Sequence, residues 1–269
     1  MLCQRCGRTI CPECQIPAAV GVHCPDCVRE ARSEYRAQRA SSGPRTPAFI
    51  RRLQGSAANG VPIVTYAIMA LCVIVWVFEF VPVVGQYIDL YGVYRPVLTE
   101  RLPWTMVTAL FVHSTGSLLH LPLNMLSLFF IGPALESMLG RARYLALYLI
   151  AGFAGSVAVL LLAPSGGVLG ASGAIFGLLG AYFVIARRLG GNATQILVVV
   201  ALNLVLGFVI PGVSWQAHIG GVVVGALVGL VFVTTRARRR RTLQVAAIAG
   251  IVLVLVAVTA VGVTNVAQL

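Results

Sequence analysis

Residues 215–230, WQAHIGGVVVGALVGL, place one histidine at the head of a run that carries no charge. His218, Gly221, Gly225 and Gly229 are spaced by 3, 4 and 4, so on a helix they share one face. A run of this length and polarity suits a bilayer span, and small residues at helical spacing let a second helix approach closely. A histidine leading such a stripe should face protein rather than lipid. The stretch GASGAIFG, residues 170–177, offers a matching face, with Gly173, Gly177 and Gly180 spaced by 4 and 3 and Ser172 beside them. Read alone, Ser172 is a packing residue of that face. If the two glycine faces pack together, Ser172 and His218 meet.

The rest of the chain agrees with a membrane setting. Of 269 residues 58% are hydrophobic and only 10% are charged, against about a quarter in soluble domains. The net charge of +12 comes from arginine alone, because the chain has no lysine. Such a charge could suggest nucleic acid, but beyond the N-terminal region the arginines sit mostly between apolar runs, which excludes that reading. The first residues are polar and cysteine-rich, so no cleavable leader is visible and the first apolar run should act as its own insertion signal.

Seven spans are expected, near 62–82, 106–136, 143–163, 169–187, 193–211, 215–234 and 244–266. The second is too long for one helix, so its helix proper should start near Ser117. Residues 84–104, with their aromatics, Pro96 and Pro103, should form a structured interfacial element. Arg51 and Arg52, Arg141 and Arg143, Arg187 and Arg188, and Arg236 with Arg238–Arg241 fall in alternate loops. The positive-inside rule then puts the N-terminus in the cytoplasm and the C-terminus outside a bacterial-type plasma membrane.

Polar residues inside spans are costly and mark function. The second, fourth and sixth spans run the same way, outside to inside. Ser172 and His218 each lie about four residues into their runs, and His120 and Asn124, at i and i+4, lie in the upper half of theirs. One layer of three parallel spans therefore holds a hydroxyl, a base and candidate donors for an oxyanion. The last acidic residue is Glu136, so the final 133 residues offer His218 no carboxylate, and the pair would work as a dyad. The same absence counts against a transporter or channel. Glu136 itself suits a structural anchor that pairs with a nearby arginine, and Cys72 suits packing within the first span.

The N-terminus reads CQRCGRTICPECQIPAAVGVHCPDC, with Cys-x-x-Cys pairs at Cys3/Cys6, Cys11/Cys14 and Cys24/Cys27. Each such turn aims two thiolates at one ion, and two turns complete a structural zinc site. In a reducing cytoplasm this outweighs disulfides.

Three stretches, HLPLNMLSLFFIGPALESMLG, GASGAIFG and AHIGG with its glycine stripe, together resemble the rhomboid intramembrane serine proteases over roughly residues 61–235. The resemblance implies an all-α polytopic membrane protein: a six-helix rhomboid-like bundle plus a seventh C-terminal transmembrane helix. It makes Ser172 the nucleophile and His218 the general base. It makes His120, Asn124 and the Ser172 N–H the oxyanion donors, and it puts Phe176 against the histidine ring. His113 lies near a second family histidine, at longer spacing from His120. The family often carries Trp-Arg in the long first loop; here Thr105 follows Trp104, with Arg101 as the candidate substitute. Substrates would be transmembrane segments of single-pass proteins, entering by movement near span five and the loop from Pro211 to Trp215. Hydrolysis would need no cofactor.

The N-terminal stretch resembles a B-box-like cross-braced zinc finger of actinobacterial members, which would join Cys3 and Cys6 with Cys24 and Cys27. Cys11 and Cys14 would then pair with His23 and another donor, or stay empty; a start placed too late would also explain them. The module could bind a cytoplasmic protein. The expected organisation is a zinc-finger-like module at 1–30, a basic linker at 31–60, the core at 61–235, and a basic loop with the seventh helix at 236–269. A catalytically inactive rhomboid-like binder of membrane proteins is the alternative.

Overall fold

The computed structural model describes residues 1–18, 21–42, 60–191, 193–209 and 212–266. Most of the expected linker, and Pro211 of the expected entry loop, lie outside the described residues. Contacts divide the chain into two compact units, Met1–Arg51 and Arg52–Leu269.

The first unit is too small to bury an ordinary core. A short hairpin, β1 (Ile16–Pro17) with β2 (Val22–His23), pairs Ile16 with His23 and Pro17 with Val22. Helix α1 (Pro25–Ser42) follows, with Pro25 suited to the first helical position. The buried hydrophobic cluster is Cys3, Ile10, Cys24 and Cys27, with Val22 against it. So little apolar area cannot offset chain entropy, and folds of this size rely on a staple.

The second unit is helical throughout. Helix α2 (Ile63–Glu79) leads into α3 (Pro82–Gly92), a 3-10 turn at Pro96–Leu98 and the short α4 (Thr105–Thr108). The long helices are α5 (His120–Leu139), α6 (Arg141–Leu162), α7 (Ser172–Arg188), α8 (Thr194–Val209), α9 (Trp215–Thr234) and α10 (Arg241–Val266). Among the described residues, α5, α6, α9 and α10 are long and apolar enough to cross a bilayer. Helices α2 and α7 have 17 residues each, about 25 Å at 1.5 Å per residue.

Two expected boundaries shift. The second run does hold a helix proper, but it starts at His120; before it come α4 and a loop whose Ala109 O accepts from the distant Gly170 N–H. The fourth run starts its helix only at Ser172, because Val168 is extended and pairs with Tyr94. Ser172 is therefore the first residue of its helix rather than the fourth or fifth.

Helix α9 is wedged between α7 and α6 by glycine. A Cβ on Gly221 would stand 2.0 Å from Gly173 O, and one on Gly225 would stand 2.2 Å from Gly177 O. On the other side, a Cβ on Gly220 would meet Ala154 O at 2.5 Å. Backbone against backbone leaves no room for any larger residue. Around this wedge the core gathers Leu128, Leu135, Tyr144, Tyr148 and Leu178, with Cys72 buried among them. Glu136 is an anchor, but not through the expected arginine: its carboxylate ties α5 to the start of α2 by accepting from Val64 N, Thr65 N and Thr65 Oγ1 at 2.8–3.0 Å, hydrogen bonds that neutral donors of a helix start supply. In the loop after α2 the arginine that forms an ion pair is Arg95, with Asp89 at 2.8 Å, whereas Arg101 is exposed and outside the ion pairs of the described residues.

Candidate active site and thiol cluster

Ser172 Oγ lies 3.0 Å from His218 Nε2. The contact follows from the glycine wedge: Gly173, next to Ser172, faces Gly221, one turn from His218. Phe176, one turn on from Ser172, stacks on the imidazole with centroids 4.0 Å apart and an interplanar angle of 7°. That stacking fixes the plane of the ring. Its Nδ1 is buried and has no hydrogen-bond partner among the described residues. A neutral His218 must carry its proton on Nδ1 if Nε2 is to accept from the serine.

Ser172 begins α7, so helix geometry leaves its N–H without an intrahelical acceptor. The preceding Gly170 has φ +111°, and a Cβ there would stand 2.7 Å from His120 Nε2. Glycine is thus required twice over, for the turn and for the approach of the imidazole. His120 Nδ1 accepts from Ser114 N at 3.2 Å. That bond assigns the proton of neutral His120 to Nε2, the nitrogen on the Gly170 side. Asn124 is buried, and its Nδ2 donates to His120 O at 2.8 Å. One amide hydrogen is therefore used within α5 and the second stays available.

Sequence reasoning left His113 without a role. It is fully buried, and its ring lies 5.3 Å from that of His120. Its Nδ1 is 3.3 Å from Phe111 O, and its Nε2 accepts from Ala171 N at 3.4 Å. Glu79 Oε1 holds the His113 backbone N–H at 3.2 Å. A chain of contacts thus runs from the end of α2 through His113 to the residue before Ser172. A polar residue beside a span, and the nearby second histidine of the family resemblance, are the sequence signals for it; loop-to-loop bonds have no periodicity to read.

In the first unit, the Sγ atoms of Cys3, Cys6, Cys24 and Cys27 lie within 4.8 Å of one another. Cys6 and Cys24 are 3.8 Å apart, and Cys24 N–H donates to Cys3 Sγ at 3.3 Å. A tetrahedral zinc with Zn–S near 2.3 Å has edges of about 3.8 Å, so the set fits that ion. Burial works to raise the Cys3 thiol, but the N–H groups of Cys24, Cys6 and Arg5 outweigh it and bring it down to about 6. Hydrogen bonding to Cys24, then burial, pushes Cys27 up to about 12. Cys11 and Cys14 are exposed and, like His23, stand outside this cluster.

A bundle of apolar helices with a serine–histidine pair at the head of two of them is the arrangement of a multi-pass membrane protein. Residues 100–235 match the Rhomboid domain model. The Bacillus subtilis rhomboid protease candidate YdcA is 32% identical over 186 residues, covering 66% of this chain and 92% of that protein. Rhomboid protease GluP of B. subtilis is 39% identical over 127 residues, 45% of this chain and 24% of GluP. RHOMBOID-like protein 4 of Arabidopsis thaliana is 41% identical over 136 residues, 48% of this chain and 34% of that relative. The match thus takes in most of the first relative but only a quarter to a third of the other two. The chain belongs to the rhomboid family.

Proposed function

We propose that this chain is an intramembrane serine endopeptidase that cuts transmembrane segments of other membrane proteins with a Ser172–His218 dyad. The observation that carries the reading is the 3.0 Å contact between Ser172 Oγ and His218 Nε2, with the ring pinned by Phe176. Oγ attacks the scissile carbonyl carbon as its proton passes to Nε2. The negative charge that develops on the carbonyl oxygen is met by the Ser172 N–H, His120 Nε2–H and the free amide hydrogen of Asn124. Collapse expels the amine, which takes the proton from Nε2. Water, deprotonated by the same nitrogen, then releases the carboxylate and restores Ser172. Among the described residues no carboxylate reaches His218 Nδ1; the stacked Phe176 orients the ring by packing. His113 is a positioning residue for the loop before Ser172.

Substrate helices must unwind to present a peptide bond, so segments with Gly, Pro or polar residues near the outer end are favoured. We assign the core to 61–235, the linker to 31–60, and the loop with the seventh helix to 236–269, with the N-terminus cytoplasmic and the C-terminus outside. The module at 1–30 is assigned a structural zinc on Cys3, Cys6, Cys24 and Cys27, and a cytoplasmic partner. Zinc supplies cross-linking energy there and takes no part in hydrolysis.

The test uses the full chain in proteoliposomes with a type I transmembrane reporter and a fluorophosphonate probe. Wild type should cleave and label, while Ser172→Ala and His218→Ala should lose at least roughly a thousandfold in rate. Cleavage by Ser172→Ala at the wild-type rate would remove Ser172 as nucleophile. A folded wild type that neither labels nor cleaves would favour the inactive binder.

A further inference from the structure

At the end of the bundle opposite Ser172, the start of α6, the end of α9 and the start of α10 line an open cavity of about 600 Å³. Arg143, Arg236 and Arg241 line it, over apolar walls that include Phe232 and Ile248. The volume is that of a small-molecule site. Arg143 is half-buried, and its Nε donates to Gln244 Oε1 at 2.9 Å. Buried Gln244 donates in turn to Thr235 Oγ1 at 2.7 Å, so its amide is locked and holds the guanidinium in place. Among the described residues no carboxylate pairs with any of the three arginines. The nearest acid in sequence, Glu136, is committed to Val64 and Thr65. Three cations around one cavity repel each other unless an anion joins them, and guanidinium groups bind phosphate by paired donors.

We propose that this cavity binds an anionic phospholipid, with the phosphate on the arginines and the acyl chains running along α10. The apolar walls and the exposed apolar flank of α10 that continues them, with Val245, Leu253 and Val256 at its surface, favour a lipid over free phosphate. The lipid bridges the seventh helix to the core at the headgroup level, where basic pockets between helices meet anionic headgroups. The site is at the other end of the helices from the serine and does not depend on the protease reading.

The experiment is native mass spectrometry of the full chain in detergent, with phosphatidylglycerol and phosphatidylcholine at equal concentration. Wild type should retain one phosphatidylglycerol in preference to phosphatidylcholine. At about fivefold per arginine, Arg236→Gln with Arg241→Gln should weaken that retention roughly 25-fold. Arg187→Gln with Arg188→Gln, which lie outside the cavity, should leave it unchanged. Inorganic phosphate in large excess should not displace the lipid. Equal retention of the two lipids by wild type overturns the proposal whether or not the variants fold, as does full retention by the double variant. Displacement by inorganic phosphate overturns the lipid assignment and makes the site one for a soluble phosphate.

Discussion

Gly221→Ala tests whether the glycine wedge, and not only the serine and histidine, sets the site. The added methyl carbon would lie 2.0 Å from Gly173 O, whereas real contacts are not found under 3.0 Å. The obstruction is backbone, so no side chain can swing away. Helices α7 and α9 must part by about 1 Å, and the strain costs about 1–3 kcal/mol of stability. Gly173 adjoins Ser172 and Gly221 is three residues from His218, so the separation falls directly on the proposed catalytic pair. The 3.0 Å contact becomes one of about 4 Å, beyond hydrogen-bond reach. A misplacement of that size costs about 100-fold in rate. The assay is the initial rate of fluorophosphonate labelling and of reporter cleavage, at a temperature where the variant is folded. Gly250→Ala, with nothing within 4 Å of the new Cβ, is the control and should match wild type. If folded Gly221→Ala labels within about twofold of wild type, the claim that close backbone approach positions the dyad is wrong.

Three further outcomes are expected. His113→Ala removes the acceptor of the Ala171 N–H and should lower kcat about tenfold with KM little changed, about 1.4 kcal/mol; unchanged kcat at matched thermal stability would make His113 merely a packing residue. Glu136→Leu leaves Val64 N, Thr65 N and Thr65 Oγ1 without their acceptor and should cost roughly 3 kcal/mol or more, read as a lower midpoint of thermal unfolding in detergent. Metal analysis should find one zinc per chain, lost in Cys3→Ser and kept in Cys11→Ser; a chelator should loosen the backbone and speed tryptic cleavage after the already exposed Arg5 and Arg8, and zinc retained by Cys3→Ser would contradict the four-thiol assignment.

Much of this arrangement is written in spacing, and the rest is not, for a physical reason. Glycines at 3 and 4 report a helix face, so the approach of α7 to α9 can be read from 170–177 and 215–230 without coordinates. Cys-x-x-Cys pairs likewise announce their turns, and alternate pairs do converge on one cluster. What escapes is whatever depends on where a helix begins. Ser172 looks interior to an apolar run, because hydropathy is blind to Gly170 at φ +111° and to the pairing of Val168 with Tyr94. Yet that late start matters chemically. A serine four residues into a helix has its N–H bonded to the turn before it, whereas a serine at the first position has that N–H free for an oxyanion. The same break brings Ala171 onto His113, and so gives a buried histidine something to hold. Composition and periodicity locate the side chains of such a site; the backbone donor beside them comes from an interruption of the helix that neither measures.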